Sequence, residues 1–82
     1  MMDRDNIKND LTDIFRDIFD DDTLEINDHT SAKDIEDWDS LAQMSLVIAI
    51  EKHFKVHFQV DEIQALKNVG EMINLIAEQV ED

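Results

Sequence analysis

The triplet Asp39-Ser40-Leu41 places a hydroxyl where it could do chemistry. An acidic, irregular stretch ends there, and a long apolar segment begins that runs through Leu41, Met44, Val47 and Ile48. Asp39 is a good N-cap residue, so Ser40 falls in the first turn of the helix that follows. The free backbone N–H groups of that turn and the positive end of the helix dipole favour a phosphate. A serine in this place suits attachment of a group through a phosphodiester. Serine also favours helix starts in its own right, so position alone leaves a plain structural role open.

The other reactive side chains form no competing constellation. A nucleophilic hydrolase would need a Gly-x-Ser-x-Gly elbow, and none is present. His29 lies among Asp, Asn, Thr and Ser with no partner implied. His53 and His57 are four apart and would share a metal only on one continuous helix. The helix is expected to end near His53, which parts them, so no metal site is expected. The run Asp20 to Asp28 lacks the glycine and the closing glutamate of a calcium-binding loop, which leaves loose, charge-driven divalent binding as its expected behaviour.

The elements that must position Ser40 follow from composition and spacing. With 82 residues, no proline, one glycine, no tyrosine and 6% aromatics, tight hairpins and a β-rich fold are disfavoured. One all-α domain over residues 1–82 is expected, without disulfides, because cysteine is absent. Ile7, Leu11, Ile14, Phe15, Ile18 and Phe19 recur at helical spacing, with Asp3 and Asp5 at the favoured end and Asp20-Asp21-Asp22 as the stop. Residues 20–39 show no sustained period and read as a long loop pinned by Leu24, Ile26, Ile35 and Trp38, with a short helical turn around Ala32–Asp37. The second helix runs from Ser40 to about His53 or Phe54 and is apolar around much of its circumference, so it is expected to be the most buried. Val56, Phe58 and Val60 alternate with polar residues, a weak strand signal read as an extended connection burying Phe58. Asp61 is expected to cap a short helix over Glu62–Leu66, with Gln64 completing a capping box. Asn68 caps the last helix, whose stripe is Met72, Ile73, Ile76, Ala77 and Val80. Three longer helices, one short helix and a long loop between the first two result.

Seven basic and 21 acidic residues give a net charge of −14, which makes nucleic acid and anionic membranes poor partners and basic enzyme surfaces better ones. Residues 1–40 hold 14 acids and four bases, a net of −10. The longest apolar run, Leu46 to Ile50, is far too short to cross a bilayer, and no secretory leader is evident. A cytoplasmic monomer is expected.

The stretch Trp38-Asp39-Ser40-Leu41-Ala42-Gln43-Met44-Ser45-Leu46-Val47-Ile48-Ala49-Ile50-Glu51-Lys52-His53-Phe54 resembles the second helix and attachment motif of the acyl carrier proteins. Asp-Ser-Leu alone is a short match. The Leu-Val-x-Ala-hydrophobic-Glu-x-x-Phe run that follows at the family spacing makes it specific, and Asn68-Val69-Gly70 opens a last helix similar to the family's. The resemblance covers essentially the whole chain and implies a four-helix bundle of acyl-carrier type. It implies that Ser40 receives 4′-phosphopantetheine from coenzyme A through a separate phosphopantetheinyl transferase. The arm's thiol would bear acyl groups as thioesters between acyl-loading and acyl-accepting enzymes, and the protein itself would not catalyse. Asp39 and Leu41 would serve transferase recognition, and Leu41, Met44, Ser45 and Glu51 would meet partners. A sheltered cargo would lie between the second, third and fourth helices, lined by Met44, Phe54, Ile63, Leu66 and Ile73. Trp38 is read first as a loop anchor.

The chain departs from the family's housekeeping members in one respect. Ala42, Gln43, Ser45 and Lys52 follow the motif where an acidic face would be expected, and Ser40 to Phe54 carries no net charge. A dedicated carrier of a specialised lipid, polyketide or glycan-modifying pathway is therefore expected. An aminoacyl or peptidyl carrier, and an unmodified acidic helical adaptor, are the alternatives.

Overall fold

The computed structural model describes residues 3–80. Among them lie four helices: α1 (Arg4–Ile18), α2 (Ser40–Phe54), α3 (Val60–Ala65) and α4 (Val69–Val80). The expected all-α bundle of three longer helices and one short one is present. α1 packs on both α2 and α4. It presents Ile7, Leu11 and Phe15, spaced at i, i+4 and i+8, to a core that Leu46, Val47, Ile50 and Phe54 of α2 and Val69, Met72, Ile73 and Ile76 of α4 complete.

Local chemistry sets the ends. Asp3 caps α1 by accepting the Asn6 N–H at 2.9 Å. The acidic run does stop α1, but through geometry rather than charge alone. Asp20 adopts a left-handed φ of 51°, so Asp21 N–H reaches back to the Arg16 carbonyl at 3.0 Å, the pattern that satisfies terminal carbonyls. Lys55 ends α2 in the same manner with φ of 59°, and Val56 N–H donates to the Glu51 carbonyl at 3.2 Å. Neither position is a glycine.

The loop between α1 and α2 is anchored as expected. Ile26, Ile35 and Trp38 are buried and Leu24 is half-buried against the same core. Residues 32–37 form turns rather than a helix. Arg16 Nε donates to the Leu24 carbonyl at 2.7 Å, and Arg4 pairs with Asp28 at 3.1 Å and also donates to Asn74. Arg4 and Arg16 thus fasten the acidic loop to α1. At the far end of the loop, Val69 N–H donates to Thr30 O at 2.9 Å and Gly70 N–H to Asp28 O at 3.0 Å.

Two further expectations change. α3 begins at Val60, earlier than expected, because the Glu62 carboxylate accepts the Gln59 N–H at 2.9 Å and sets the cap there. Val60 is thus the first residue of a helix and stands 66% exposed, while Val56 and Phe58 of the preceding connection are buried. α2 is not the most buried helix. Leu41, Met44 and Ile48 remain exposed along one stripe, and α4 carries more of the core for its length.

Candidate functional site

Ser40 is the first residue of α2 and is exposed. Asp39, in extended conformation, caps the helix by accepting the Ala42 N–H at 2.8 Å, while its own carbonyl accepts the Gln43 N–H at 2.9 Å. The N–H groups of Ser40 and Leu41 have no protein acceptor among the described residues. They point out of the helix start, where the dipole is positive. Within the first turn of α2 itself no acidic residue stands, and the adjacent Asp39 carboxylate is engaged in capping.

The segment before Ser40 is held by the core. Trp38 lies edge-on to Phe15, with ring centroids 5.2 Å apart and planes at 83°, and packs beside Phe19 at 6.4 Å. Such edge-to-face pairs contribute about 0.5–1.5 kcal/mol beyond the area they bury. The indole is buried, as expected of a loop anchor, and its Nε1–H donates to Gln43 Oε1 at 2.7 Å across the start of α2. Sequence inspection missed this bond, since a tryptophan five residues before a glutamine carries no local pattern.

Ser40 borders an open groove of about 500 Å³ between the start of α2 and α3. Trp38, Met44, Ile63 and Leu66 provide its apolar walls, and Gln43 lies along it. The five residues expected to line a single space therefore separate. Met44, Ile63 and Leu66 face the groove, whereas Phe54 and Ile73 are sealed in the core at 8% and 1% exposure. Leu41 and Ser45 lie on the other side of the α2 start, in a shallow depression that Asp20, Asp37 and Asp39 also border.

The remaining candidates lie apart. Glu51 sits about three turns along α2, where its carboxylate accepts the Phe58 N–H at 2.9 Å and fastens the connection after the helix. His57 Nδ1 lies 3.5 Å from the same carboxylate, while His53 Nε2 lies 3.2 Å from Asp10 on α1. The two histidines thus face different partners. The Asp21 carboxyl is held below its ordinary range. The Thr23 hydroxyl donates to it at 2.7 Å and the Thr23 N–H at 3.0 Å, with the nearby Arg16 charge adding to the effect.

The donor set suits an arm joined through a phosphodiester: an exposed hydroxyl, free N–H groups at the helix start and an adjoining groove that is mostly apolar. Residues 9–76 match the family model described as the phosphopantetheine attachment site. The chain is similar to the holo acyl carrier protein from Geobacter metallireducens, a solution NMR structure. Identity is 43% over 90% of this chain and 85% of that one, with a TM-score of 0.85. No curated protein matches the chain.

Proposed function

The chain belongs to the phosphopantetheine-attachment family of acyl carrier proteins, and on that premise we propose that Ser40 is the residue that bears the arm. A protein of this family is a carrier rather than an enzyme, and its prosthetic group is covalently attached phosphopantetheine. That group supplies a thiol on which acyl intermediates ride as thioesters. The single observation that favours Ser40 is its place: an exposed hydroxyl at the capped start of α2, beside the groove.

In this reading Ser40 Oγ attacks the pantetheine-bearing phosphorus of the coenzyme A diphosphate and gives up its proton. The phosphodiester forms as the P–O bond to the nucleotide half breaks, and adenosine 3′,5′-bisphosphate leaves. A separate phosphopantetheinyl transferase holds the coenzyme. The N–H groups of Ser40 and Leu41 then face the new phosphate, and Asp39 keeps the turn in shape by capping. Leu41, 77% exposed and next to the nucleophile, offers the transferase an apolar contact.

Acyl-loading and acyl-accepting enzymes meet the same end of α2 through Leu41, Met44 and Ser45. Glu51 completes the proposed docking set from farther along the helix. The exposed apolar stripe and the absence of net charge along α2 favour partners with apolar docking sites, as a specialised lipid, polyketide or glycan-modifying pathway would provide. No described helix is long and apolar enough to cross a membrane, which accords with a carrier working in the cytoplasm.

Intact mass after incubation with coenzyme A, magnesium and a promiscuous transferase tests the assignment. Gain of one phosphopantetheine by the wild type but not by Ser40→Ala supports it. Gain by both proteins, or by neither, rejects it. Asp39 still caps the helix in Ser40→Ala, so the variant folds.

A further inference from the structure

The geometry points to Gln43, oriented by Trp38, as the hydrogen-bond donor that holds the pantetheine part of the arm in the groove beside Ser40. This inference rests on Ser40 being the attachment residue.

An indole N–H is a donor only, so the group 2.7 Å from Trp38 Nε1 must be the amide oxygen of Gln43. That settles which way the amide faces. The Gln43 nitrogen, with two hydrogens, is turned away from the indole and donates to no protein atom among the described residues. The indole is in turn clamped against Phe15 and Phe19 of α1, so the orientation of one surface amide is set by the core.

Gln43 also stands in the right register. Ser40, Gln43 and Met44 are related by i, i+3 and i+4 and share one face of α2, and all three border the groove. An arm leaving Ser40 along this face passes Gln43 within one helical turn, about 5 Å of rise. Pantetheine carries two amide carbonyls, which accept hydrogen bonds, and otherwise mostly apolar carbon. The groove offers a matching arrangement: amide donors on Gln43 between the apolar walls of Trp38, Met44, Ile63 and Leu66. The ligand class recognised is thus the amide-bearing arm itself, whatever acyl group it bears. Gln43 is a positioning residue and takes no part in bond making.

Trp38 is the only tryptophan, so its indole N–H gives a single resolved nuclear magnetic resonance signal. We would compare this signal before and after attachment of the arm, with intact mass reporting attachment on the same samples. The wild type is expected to show a shift of the indole signal on attachment and through-space contacts between the arm and the Trp38 ring. Gln43→Glu keeps an acceptor for the indole and removes both donors. It is expected to load, to keep the indole signal of the unmodified protein near its wild-type position, and to lose the shift and the contacts. Gln43→Met, similar in length and without either amide function, stands in if Gln43→Glu loads poorly, with the same loss of shift and contacts expected. An indole signal that ignores attachment in the wild type, with the mass gain present, overturns the role of Gln43 alone. Full retention of the shift and contacts in the Gln43 variants does the same. Absence of the mass gain overturns the Ser40 reading and this inference with it.

Discussion

Gly70 N–H donates to the Asp28 carbonyl at 3.0 Å, and a Cβ on Gly70 would lie 2.9 Å from that same oxygen. The first turn of α4 therefore lies against the backbone of the loop, closer than any side chain allows. Gly70→Ala pushes loop and helix apart and weakens the adjoining bond from Val69 to Thr30. We expect a loss of about 1–3 kcal/mol, as for other overpacked sites. Thermal or urea unfolding monitored by circular dichroism checks it, and an unchanged midpoint refutes it.

Asp20 pairs a left-handed φ of 51° with a negative charge at a helix C-terminus, and both are unfavourable there. Asp20→Gly removes both and is expected to stabilise the protein by about 1 kcal/mol. Asp20→Asn, which removes the charge and tolerates this conformation, should give part of the gain. A lower melting temperature for either variant contradicts this account of the helix end.

Acid sensitivity follows from Asp21. Its carboxyl is held below the ordinary value first by the Thr23 hydroxyl and then by the Thr23 N–H. A group whose pKa is depressed on folding contributes stability above its unfolded value, and that contribution fades as pH falls through the folded value. Thr23→Val removes the hydroxyl donor. The stability difference between wild type and Thr23→Val should hold steady down to about pH 4, where ordinary Asp side chains titrate, and shrink below it. A difference that grows on acidification counts against the prediction.

Leu41 should separate folding from recognition. At 77% exposure it contributes little to the core, so Leu41→Gln is expected to leave stability within about 0.5 kcal/mol of wild type. Loading of Ser40 by the transferase should slow by tenfold or so, the cost of about 1.4 kcal/mol of lost apolar contact. Initial rates followed by intact mass, beside a melting curve, test both halves. Loading at the wild-type rate removes Leu41 from the recognition surface.

A chain with a net charge of −14 repels itself, and most of that charge lies in residues 1–40. Raising ionic strength from about 0.01 M to 0.15 M shortens the screening length from about 30 Å to about 8 Å. The melting temperature should therefore climb with sodium chloride. A flat response would mean that the acids in α1 and the loop are already neutralised by their neighbours.

Local signals made much of this architecture legible. The i, i+4, i+8 spacing of Ile7, Leu11 and Phe15 repeats from one turn to the next, and the caps at Asp39 and Asn68 lie within single turns, where sequence and conformation are directly coupled. The loop anchors Ile26, Ile35 and Trp38 stood out because apolar residues are rare among the acids around them. Where the outcome depended on tertiary packing, sequence spoke less clearly. α2 has apolar residues on all sides, so no period marked Leu41, Met44 and Ile48 as the ones left in solvent. Val60 looked like the end of an extended run until the Glu62 carboxylate set the cap at Gln59. The left-handed residues Asp20 and Lys55 were unmarked because neither is glycine. At the site, Ser40 and its neighbours were readable as a motif. The bond from Trp38 to Gln43 exists only because α1 holds the indole in place.

α3 has no fully buried side chain and holds on to the rest of the protein through the half-buried Ile63, with the half-buried Leu66 just past its end. A helix attached so lightly opens at a fraction of the cost of global unfolding. Its backbone amides should exchange with deuterium long before those of α1, α2 and α4. The domain is therefore two-tiered. A three-helix frame is expected to set the melting point, and the α3 wall of the groove beside Ser40 to open at lower cost than the frame.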